Sequence, residues 1–252
     1  MPQTPAQRYQ ADLDSGVIVP DEAQRRAVDA LQDLHARLEI RARAKVGLVE
    51  RLLGRSSNVP EQGLYFWGGV GRGKTYLMDS FFEALSFDNK KRMHFNRFMQ
   101  RVHDELTELA GLKNPLDTVA ERIASETIVV CFDEFYVSDI GDAMLLGGLM
   151  QALFDRGITL VATSNIPPSG LYKDGLQRAR FLPAIRAVET FCRVINVDSG
   201  IDYRLRVLTQ SELYFVPEDV SSVSPLPGLF ADLTGGKVPE SVVMTLSKRS
   251  HA

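Results

Sequence analysis

The sequence is poor in cysteine and histidine, and this limits the kinds of site it can form. Its 252 residues include two cysteines, Cys131 and Cys192, and four histidines. Each cysteine stands inside an apolar run typical of a buried strand, so we expect both to be small buried hydrophobes in a reducing compartment. The histidines have no cysteine or acidic neighbours at ligand spacing, so a metal site made of protein ligands alone is not predicted.

Long apolar runs and an excess of positive charge are also lacking. No run of about 18 apolar residues offers a membrane span, and Asp12 and Asp14 stand where a signal peptide needs an apolar stretch. Lys and Arg number 29 against 32 Asp and Glu, so the chain as a whole lacks the positive charge that displaces counterions from nucleic acid. We therefore expect a cytoplasmic protein with one main domain.

The chain is predicted to have an N-terminal helical arm at 1–58, a nucleotide-binding core at 59–206 and an irregular segment at 207–252. Pro20 and Asp21 give a helix-start signal, and apolar residues follow at helical spacing up to Leu38, which predicts an amphipathic helix that continues to about Leu53. This helix either packs against the core or binds a partner, and the sequence leaves both alternatives open.

From Gly63 onward, short apolar runs alternate with longer helical patterns, which is typical of βαβ units around a parallel sheet. Right-handed crossovers bring the carboxyl ends of such strands to one edge, where residues after each strand can converge on a ligand. We predict five strands, at 64–67, 92–95, 127–132, 158–163 and 193–197. Helices are predicted at 75–85, 98–109, 144–156 and 183–191.

A glycine-rich motif follows the first predicted strand and precedes a helix. It matches the pattern G-x-x-x-x-G-K-[ST], in which backbone N–H groups point at phosphate oxygens, the lysine reaches the β- and γ-phosphates of ATP and the hydroxyl binds Mg²⁺. A glycine-rich turn without a ligand is the alternative. The predicted ATP-binding residues are Gly68, Gly69, Val70, Gly71, Arg72, Gly73, Lys74 and Thr75.

Two acids, Asp133 and Glu134, follow five apolar residues at the end of the third predicted strand. Charged side chains are tolerated at the carboxyl end of a buried strand, where Asp133 can hold Mg²⁺ through water, with Thr75 as the other metal ligand, and Glu134 can polarise the attacking water. The alternative is an ordinary strand end with solvated acids.

Asn165 follows the fourth predicted strand, and its amide could orient the attacking water together with Glu134. It also precedes Ile166-Pro167-Pro168, so it could instead be a turn former. His94 is interpreted as a partly buried histidine, or else as a contact for nucleotide or partner.

Several arginines follow Asn165, with Lys173 nearby, and their default interpretation is a solvated helix face. An arginine donated across a subunit boundary would instead neutralise charge in the transition state. Among Arg178, Arg180 and Arg186 we favour Arg178 for this role and place Arg180 second. This role requires an ATP-dependent homo-oligomer.

Six ordered blocks resemble an AAA+ module and, more specifically, the ZapE cell-division ATPase family, whose relatives include mitochondrial lactation-elevated-type ATPases. The resemblance covers about 63–206. It implies an α/β fold of P-loop NTPase type, a five-stranded parallel sheet flanked by helices, a helical N-terminal arm and an incomplete C-terminal lid region. The blocks are GLYFWGGVGRGKTYLMD, MHFNRFMQRVHDEL, CFDEF, TSNIPP, LYKDGLQRARFLPAI and NVDSGIDYRLR.

The resemblance also implies a function and a set of site residues. Members of that family are ATP-driven factors that associate with the division ring, bind FtsZ and destabilise its polymers when ATP is present. The matching positions are the P-loop at 68–75, Asp133 and Glu134 as the acids, and Asn165 as the polar sensor. Arg178 and Arg204 also match family positions.

Two departures and one competing function accompany this resemblance. Asn96 stands where the family often repeats a histidine after His94 and Phe95. The chain ends short of the family's usual C-terminal extension, so we expect ATP binding more firmly than rapid hydrolysis. The competing function is a helicase-loader-like ATP switch that acts on nucleic acid or a replicative motor.

Overall fold

The computed structural model describes residues 2–44 and 59–198, and the predictions for 207–252 and for Arg204 lie outside these residues. In chain order, the elements of the described residues are α1 (Pro5–Asp14), α2 (Glu22–Ala44), β1 (Gly63–Trp67), α3 (Lys74–Ala84), β2 (Lys90–His94), α4 (Phe95–Glu108), α5 (Pro115–Glu126), β3 (Val129–Asp133), α6 (Ile140–Asp155), β4 (Thr159–Ser164), α7 (Leu182–Phe191) and β5 (Cys192–Asn196). Short 3₁₀ turns lie at Pro168–Gly170 and Arg178–Arg180.

The five strands form one parallel sheet in the order β2-β3-β4-β1-β5, which confirms the predicted parallel α/β architecture. In the register, Tyr65 of β1 lies between Ala162 of β4 and Val194 of β5. Each predicted strand is present with its ends within two residues of the prediction. Because β4 separates β1 from β3, residues after β4 lie between the loops that follow those two strands.

The second strand ends one residue earlier than predicted. His94 is the N-cap of α4, in an extended conformation, and Phe95 is the first residue of the helix. The buried residues here are spaced three and four positions apart, which is the period of a helix: Phe95, Phe98, Met99 and Val102. Phe95 therefore belongs to α4 and not to β2.

Among the helices of the described residues, α1 and α5 have no counterpart in the sequence-based prediction. Thr4 caps α1, where its side chain and that of Gln7 form a reciprocal capping box. α5 begins with Pro115 directly after Asn114, which takes a left-handed conformation with φ 56°. Proline at the first helical position is a usual start signal, since its missing N–H would have no partner there.

The N-terminal arm packs against the sheet. Asp21 begins α2 as predicted, because its Oδ1 accepts hydrogen bonds from the N–H groups of Ala23 at 2.7 Å and Gln24 at 3.2 Å. The apolar side of α2 belongs to the same buried cluster as Leu64 and Phe66 of β1. Of the two alternatives for this helix, packing against the core is therefore observed. α2 is described as far as Ala44, and its predicted continuation to Leu53 lies outside the described residues.

Side chains of the strands alternate between two buried clusters, one on each face of the sheet. Leu64 and Phe66 face the cluster formed with α1, α2 and α3, whereas Tyr65 faces the cluster formed with α4 to α7. Cys131 and Cys192 are both free and buried, and burial raises the pKa of the Cys131 thiol to about 12. The expectation of two small buried hydrophobes is thus confirmed. Within the described ranges, no helix is long and apolar enough to cross a membrane.

Candidate functional site

The P-loop connects β1 to α3 and takes a conformation that depends on glycine. Gly68 has φ 150° and Gly73 has φ 77°, both in the region that L-residues with a side chain rarely adopt. A Cβ added at Gly73 would lie 2.5 Å from Nε2 of Gln24. Lys74 and Thr75 are the first residues of α3, so the positive end of the helix dipole faces the loop. Thr75 is exposed.

The ammonium group of Lys74 links the P-loop to the residue after β4. Its Nζ donates to the carbonyl oxygens of Gly68 and Gly69, both at 2.6 Å, and to Oδ1 of Asn165 at 3.1 Å. Asn165 is exposed, although Ser164 before it is buried. Two predicted site residues from separate parts of the sequence therefore meet at one edge of the sheet.

Asp133 ends β3 and forms an ion pair with Arg92 of β2. Arg92 Nε lies 2.8 Å from Asp133 Oδ2, and its Nη2 lies 3.4 Å from Oδ1. Through Nη1 the same guanidinium also donates to Asp79 of α3. Burial lowers the pKa of Arg92, but its hydrogen bonds to Asp133 and Asp79 and their negative charges outweigh this effect and raise the pKa. Arg92 is therefore positively charged, and its side chain on β2 links β3 to α3 through these two carboxylates.

Glu134 is exposed and takes a left-handed backbone conformation, with φ 55°. A non-glycine residue in this region costs on the order of 1 kcal/mol or more, so the surrounding structure must hold it there. Its N–H donates to Thr163 Oγ1 at 3.2 Å, and the N–H of Phe135 donates to the Thr163 carbonyl at 2.7 Å. The Ser164 hydroxyl donates to the Phe135 carbonyl at 2.8 Å. These bonds fix the acidic residue relative to the end of β4.

The predicted arginines lie in the segment after β4 and in α7. The Nη2 of Arg178 donates to the Ser169 carbonyl at 2.7 Å, whereas its buried Nε has no hydrogen-bond partner. Arg180 and Arg186 are exposed. The side chain of Arg178 is thus folded back onto its own loop, while the side chain of Arg180 is open to solvent.

His94 lies opposite Asp133 in the register of β2 and β3, and it is exposed. The interpretation of His94 as a partly buried histidine is wrong, because the strand ends there and the following helix turns Phe95, not His94, into the core.

Asp198, just after β5, also contacts the P-loop, although the sequence reasoning assigned it no role. Its Oδ2 accepts from the N–H of Gly69 at 3.3 Å, and its Oδ1 lies 2.9 Å from Nε of Arg72. The Asn196 side chain in turn accepts from the N–H of Asp198 at 2.8 Å. Asp198 follows the predicted strand at 193–197 just as Asp133 follows the predicted strand at 127–132, so the reasoning that led to Asp133 could have found it too.

Gln24 is a second contact that sequence reasoning missed. It is 2% exposed, and its Nε2 donates to the Arg72 carbonyl at 3.3 Å. Gln24 stands three and seven residues before Ala27 and Leu31, which places a polar side chain on the apolar side of α2. A polar residue on the apolar side of a helix is the sequence signal that could have identified Gln24. Its hydrogen bond links the N-terminal arm to the P-loop.

The oxygens of Thr75 and Asp133 fit a bound Mg²⁺ by their chemistry. Mg²⁺ prefers oxygen ligands and usually keeps several waters. A carboxylate offers about four acceptor positions, so the Asp133 carboxylate can still accept from water beside its bonds to Arg92. In the part of the chain that the structure describes, no group of three or more His, Cys, Asp or Glu side chains is arranged to hold a metal.

The sheet order and the residues at its edge define a class of protein. A P-loop after the first strand, acids after the third and a polar residue after the fourth, on a parallel sheet in this order, define a P-loop ATPase of AAA+ type. The chain belongs to the AFG1-like ATPase family, whose model matches residues 3–252. Membership implies that it binds and hydrolyses ATP.

Comparisons with individual proteins confirm the resemblance described from the sequence. The chain is 50% identical over 258 residues to cell division protein ZapE of Escherichia coli K12, a match that covers 99% of this chain and 69% of that protein. It is 42% identical over 186 residues to lactation elevated protein 1 homolog B of Danio rerio, covering 69% of this chain and 37% of that protein.

A solved structure of a DNA replication initiation factor shares the fold. The TM-score is 0.50 at 13% sequence identity, and the match covers 86% of this chain and 61% of the other. At this identity the likeness concerns the fold alone.

Proposed function

We propose that this chain hydrolyses ATP at the P-loop and uses the cycle to bind FtsZ and destabilise its polymers during cell division in the cytoplasm. The observation that carries the ATPase part is the hydrogen bond of 3.1 Å between Lys74 Nζ and Asn165 Oδ1. It joins the lysine proposed to bind phosphate to the polar residue after β4, and the neighbouring strand β3 ends at Asp133, directly before Glu134.

Each residue at this edge has a proposed task. The N–H groups of the P-loop and the amino end of α3 bind the phosphates, and Lys74 moves from the loop carbonyls to the β- and γ-phosphates. Glu134 accepts the proton of the attacking water, and Asn165 orients that water. Thr75 and Asp133 would hold Mg²⁺, Asp133 through water, and a metal bound there would supply positive charge to the phosphate oxygens.

The side chain of Arg178 is proposed to leave the Ser169 carbonyl and to reach the nucleotide of a neighbouring copy. Its unpartnered Nε supports this role, since a buried N–H donor of a half-buried guanidinium gains a hydrogen bond when the side chain moves to an anion. An arginine donated in this way raises the rate of phosphoryl transfer by about 10³–10⁵. Hydrolysis then depends on assembly of a homo-oligomer.

The action on FtsZ is supported by the relative named as a cell division protein, which is 50% identical across 99% of the chain. The test is sedimentation of FtsZ polymers with and without ATP, alongside phosphate release. The native chain should reduce the sedimented fraction when ATP is present. Lys74→Ala should lose both activities, and Lys173→Ala, which alters an exposed lysine, should keep both. If the Lys74→Ala variant hydrolysed ATP and reduced the sedimented fraction of FtsZ as the native chain does, the proposal would be overturned.

The competing function, an ATP switch that acts on nucleic acid or a replicative motor, has the shared fold as its support. It predicts binding to single-stranded DNA with an affinity that falls steeply as salt rises. A fluorescence anisotropy titration at several salt concentrations separates the two functions, because the FtsZ proposal predicts no such binding.

A further inference from the structure

The guanidinium of Arg92 bonds to two carboxylates, Asp133 at the end of β3 and Asp79 on α3. The Nε and Nη2 edge of Arg92 faces Asp133, at 2.8 Å and 3.4 Å, while Nη1 donates to Asp79 of α3. Asp133 is the more buried partner, with a side chain 13% exposed against 37% for Asp79. The two acids therefore share a cation that contacts each of them through a different nitrogen edge.

The guanidinium of Arg92 is bonded to Asp133, the carboxylate that is proposed to hold Mg²⁺. Two cations on one carboxylate repel each other, and the repulsion is stronger at a partly buried site than in bulk water. An arginine offers five donors in a fixed fork, so it can release one carboxylate while it stays bonded to another. Asp79 provides that second partner next to Asp133.

We propose that Arg92 is a positioning residue that exchanges between two states. It neutralises and orients Asp133 while no divalent cation is present, and it remains on Asp79 when Asp133 turns to Mg²⁺. This inference rests on the proposed role of Asp133 in the ATPase site, and it assigns Arg92 and Asp79 a part in how readily that site accepts the metal.

Two substitutions should shift the Mg²⁺ requirement in opposite directions. Arg92→Met removes the competing cation, so the Mg²⁺ concentration that half-saturates binding of a non-hydrolysable ATP analogue should fall about fivefold. Asp79→Asn removes the charge that draws Arg92 away from Asp133, so this concentration should rise by a similar factor. A static bridge gives the same two signs through the charges alone, but its two effects add. The exchange instead predicts that Asp79→Asn causes no further shift in the Arg92→Met background, because Asp79 acts by drawing Arg92 away.

The measurement is a calorimetric titration with the analogue at a series of MgCl₂ concentrations. Arg101→Met is the matched control, because Arg101 also bonds two carboxylates, Glu105 and Glu126, but lies on α4. It should leave the Mg²⁺ requirement unchanged. Thermal unfolding checks that each variant is folded.

If Arg92→Met does not fold, Asp79 carries the test alone. Asp79→Asn should raise the Mg²⁺ requirement and Asp79→Glu, which keeps the charge, should not. Shifts of the same sign for Arg92→Met and Asp79→Asn, or no shift for Asp79→Asn, would overturn the inference. Failure of the native chain to bind the analogue at any Mg²⁺ concentration would instead overturn the proposed function.

Discussion

The Nζ of Lys74 lies 3.1 Å from Oδ1 of Asn165, although the two residues are 91 positions apart in the sequence. Lys74 opens the helix after β1, Asn165 follows β4, and these two strands pair in parallel. The pairing therefore brings an amide next to the cation that we propose binds the phosphates. In the proposed mechanism, Asn165 orients the attacking water once Lys74 has turned to the nucleotide.

Asn165→Ala should lower the turnover number about 100-fold, because one oriented polar group at a reacting centre contributes on that scale. ATP affinity should change by less, since the phosphates are held by the P-loop. Steady-state hydrolysis and a binding titration measure the two quantities separately. A turnover number within about twofold of the native value would favour the interpretation of Asn165 as a turn former.

Mixed assemblies test the role of Arg178. Glu134→Gln should keep ATP affinity, lose turnover by about 10²–10⁴ and trap an assembled state, because the base that accepts the proton is gone. Arg178→Ala should bind ATP and fail to hydrolyse it. Mixing the two inactive variants should restore part of the phosphate release if Arg178 works across the interface.

Arg180→Ala is the matched control for that experiment, since Arg180 lies in the same 3₁₀ turn and is exposed. It should hydrolyse ATP like the native chain. Confirmed co-assembly of the Glu134→Gln and Arg178→Ala variants without any recovered hydrolysis would count against Arg178. An inactive Arg180→Ala would transfer the role to Arg180.

Gly73→Ala should lower both the affinity for ATP and the free energy of unfolding. At φ 77° an alanine costs about 1–2 kcal/mol, and its Cβ would press on Nε2 of Gln24, which is bonded to the Arg72 carbonyl. Gly16→Ala is the matched control, with φ 74° and nothing within 4 Å of the added Cβ. Both variants should lower the free energy of unfolding, but ATP affinity should fall in Gly73→Ala alone. Equal ATP affinities for the two variants would contradict the prediction.

Glu39 predicts a pH dependence of stability. Burial raises the pKa of its carboxyl, but hydrogen bonds at 2.7 Å from the N–H and hydroxyl of Ser86, with the charges of His35 and Arg43, outweigh burial and lower that pKa. Because the folded pKa is below the unfolded value, this stability is present above the ordinary pKa of about 4.3 and is lost as pH falls through the folded pKa.

Glu39→Gln should therefore lower the free energy of unfolding by about 1–2 kcal/mol at pH 7, and the difference should shrink below about pH 4. Denaturant unfolding at a series of pH values measures it. Glu189→Gln, at an exposed position on α7, is the control and should change little. A destabilisation by Glu39→Gln that stays constant down to pH 3 would contradict the assignment.

The sheet and the P-loop were predictable because their signals are local. The strands β1, β3 and β4 are short, mainly apolar runs, and 68–75 carry their motif in consecutive residues. Helix α5 was not predicted because its start signal, Pro115 after Asn114, lies in the interval between the predicted helix at 98–109 and the predicted strand at 127–132. The end of β2 was misplaced by one residue because Phe95 suits a strand as well as a helix, and packing decides between them.

The contacts around the site depended on tertiary structure. Arg92 stands among other charged residues in β2, and only the register with β3 and the position of α3 bring it to Asp133 and Asp79. Gln24 reaches the P-loop because α2 packs on the sheet beside α3. Sequence patterns predict which residues carry the chemistry, but pairing between distant segments decides which side chains they contact.

The central claim is that the P-loop beside Asp133, Glu134 and Asn165 hydrolyses ATP in an assembled protein. Phosphate release measured against protein concentration, with and without FtsZ, tests it most directly. The account predicts that the rate per chain rises cooperatively with concentration and that Glu134→Gln abolishes it while ATP binding persists. A rate per chain that is independent of concentration, or hydrolysis by Glu134→Gln at the native rate, would contradict the account.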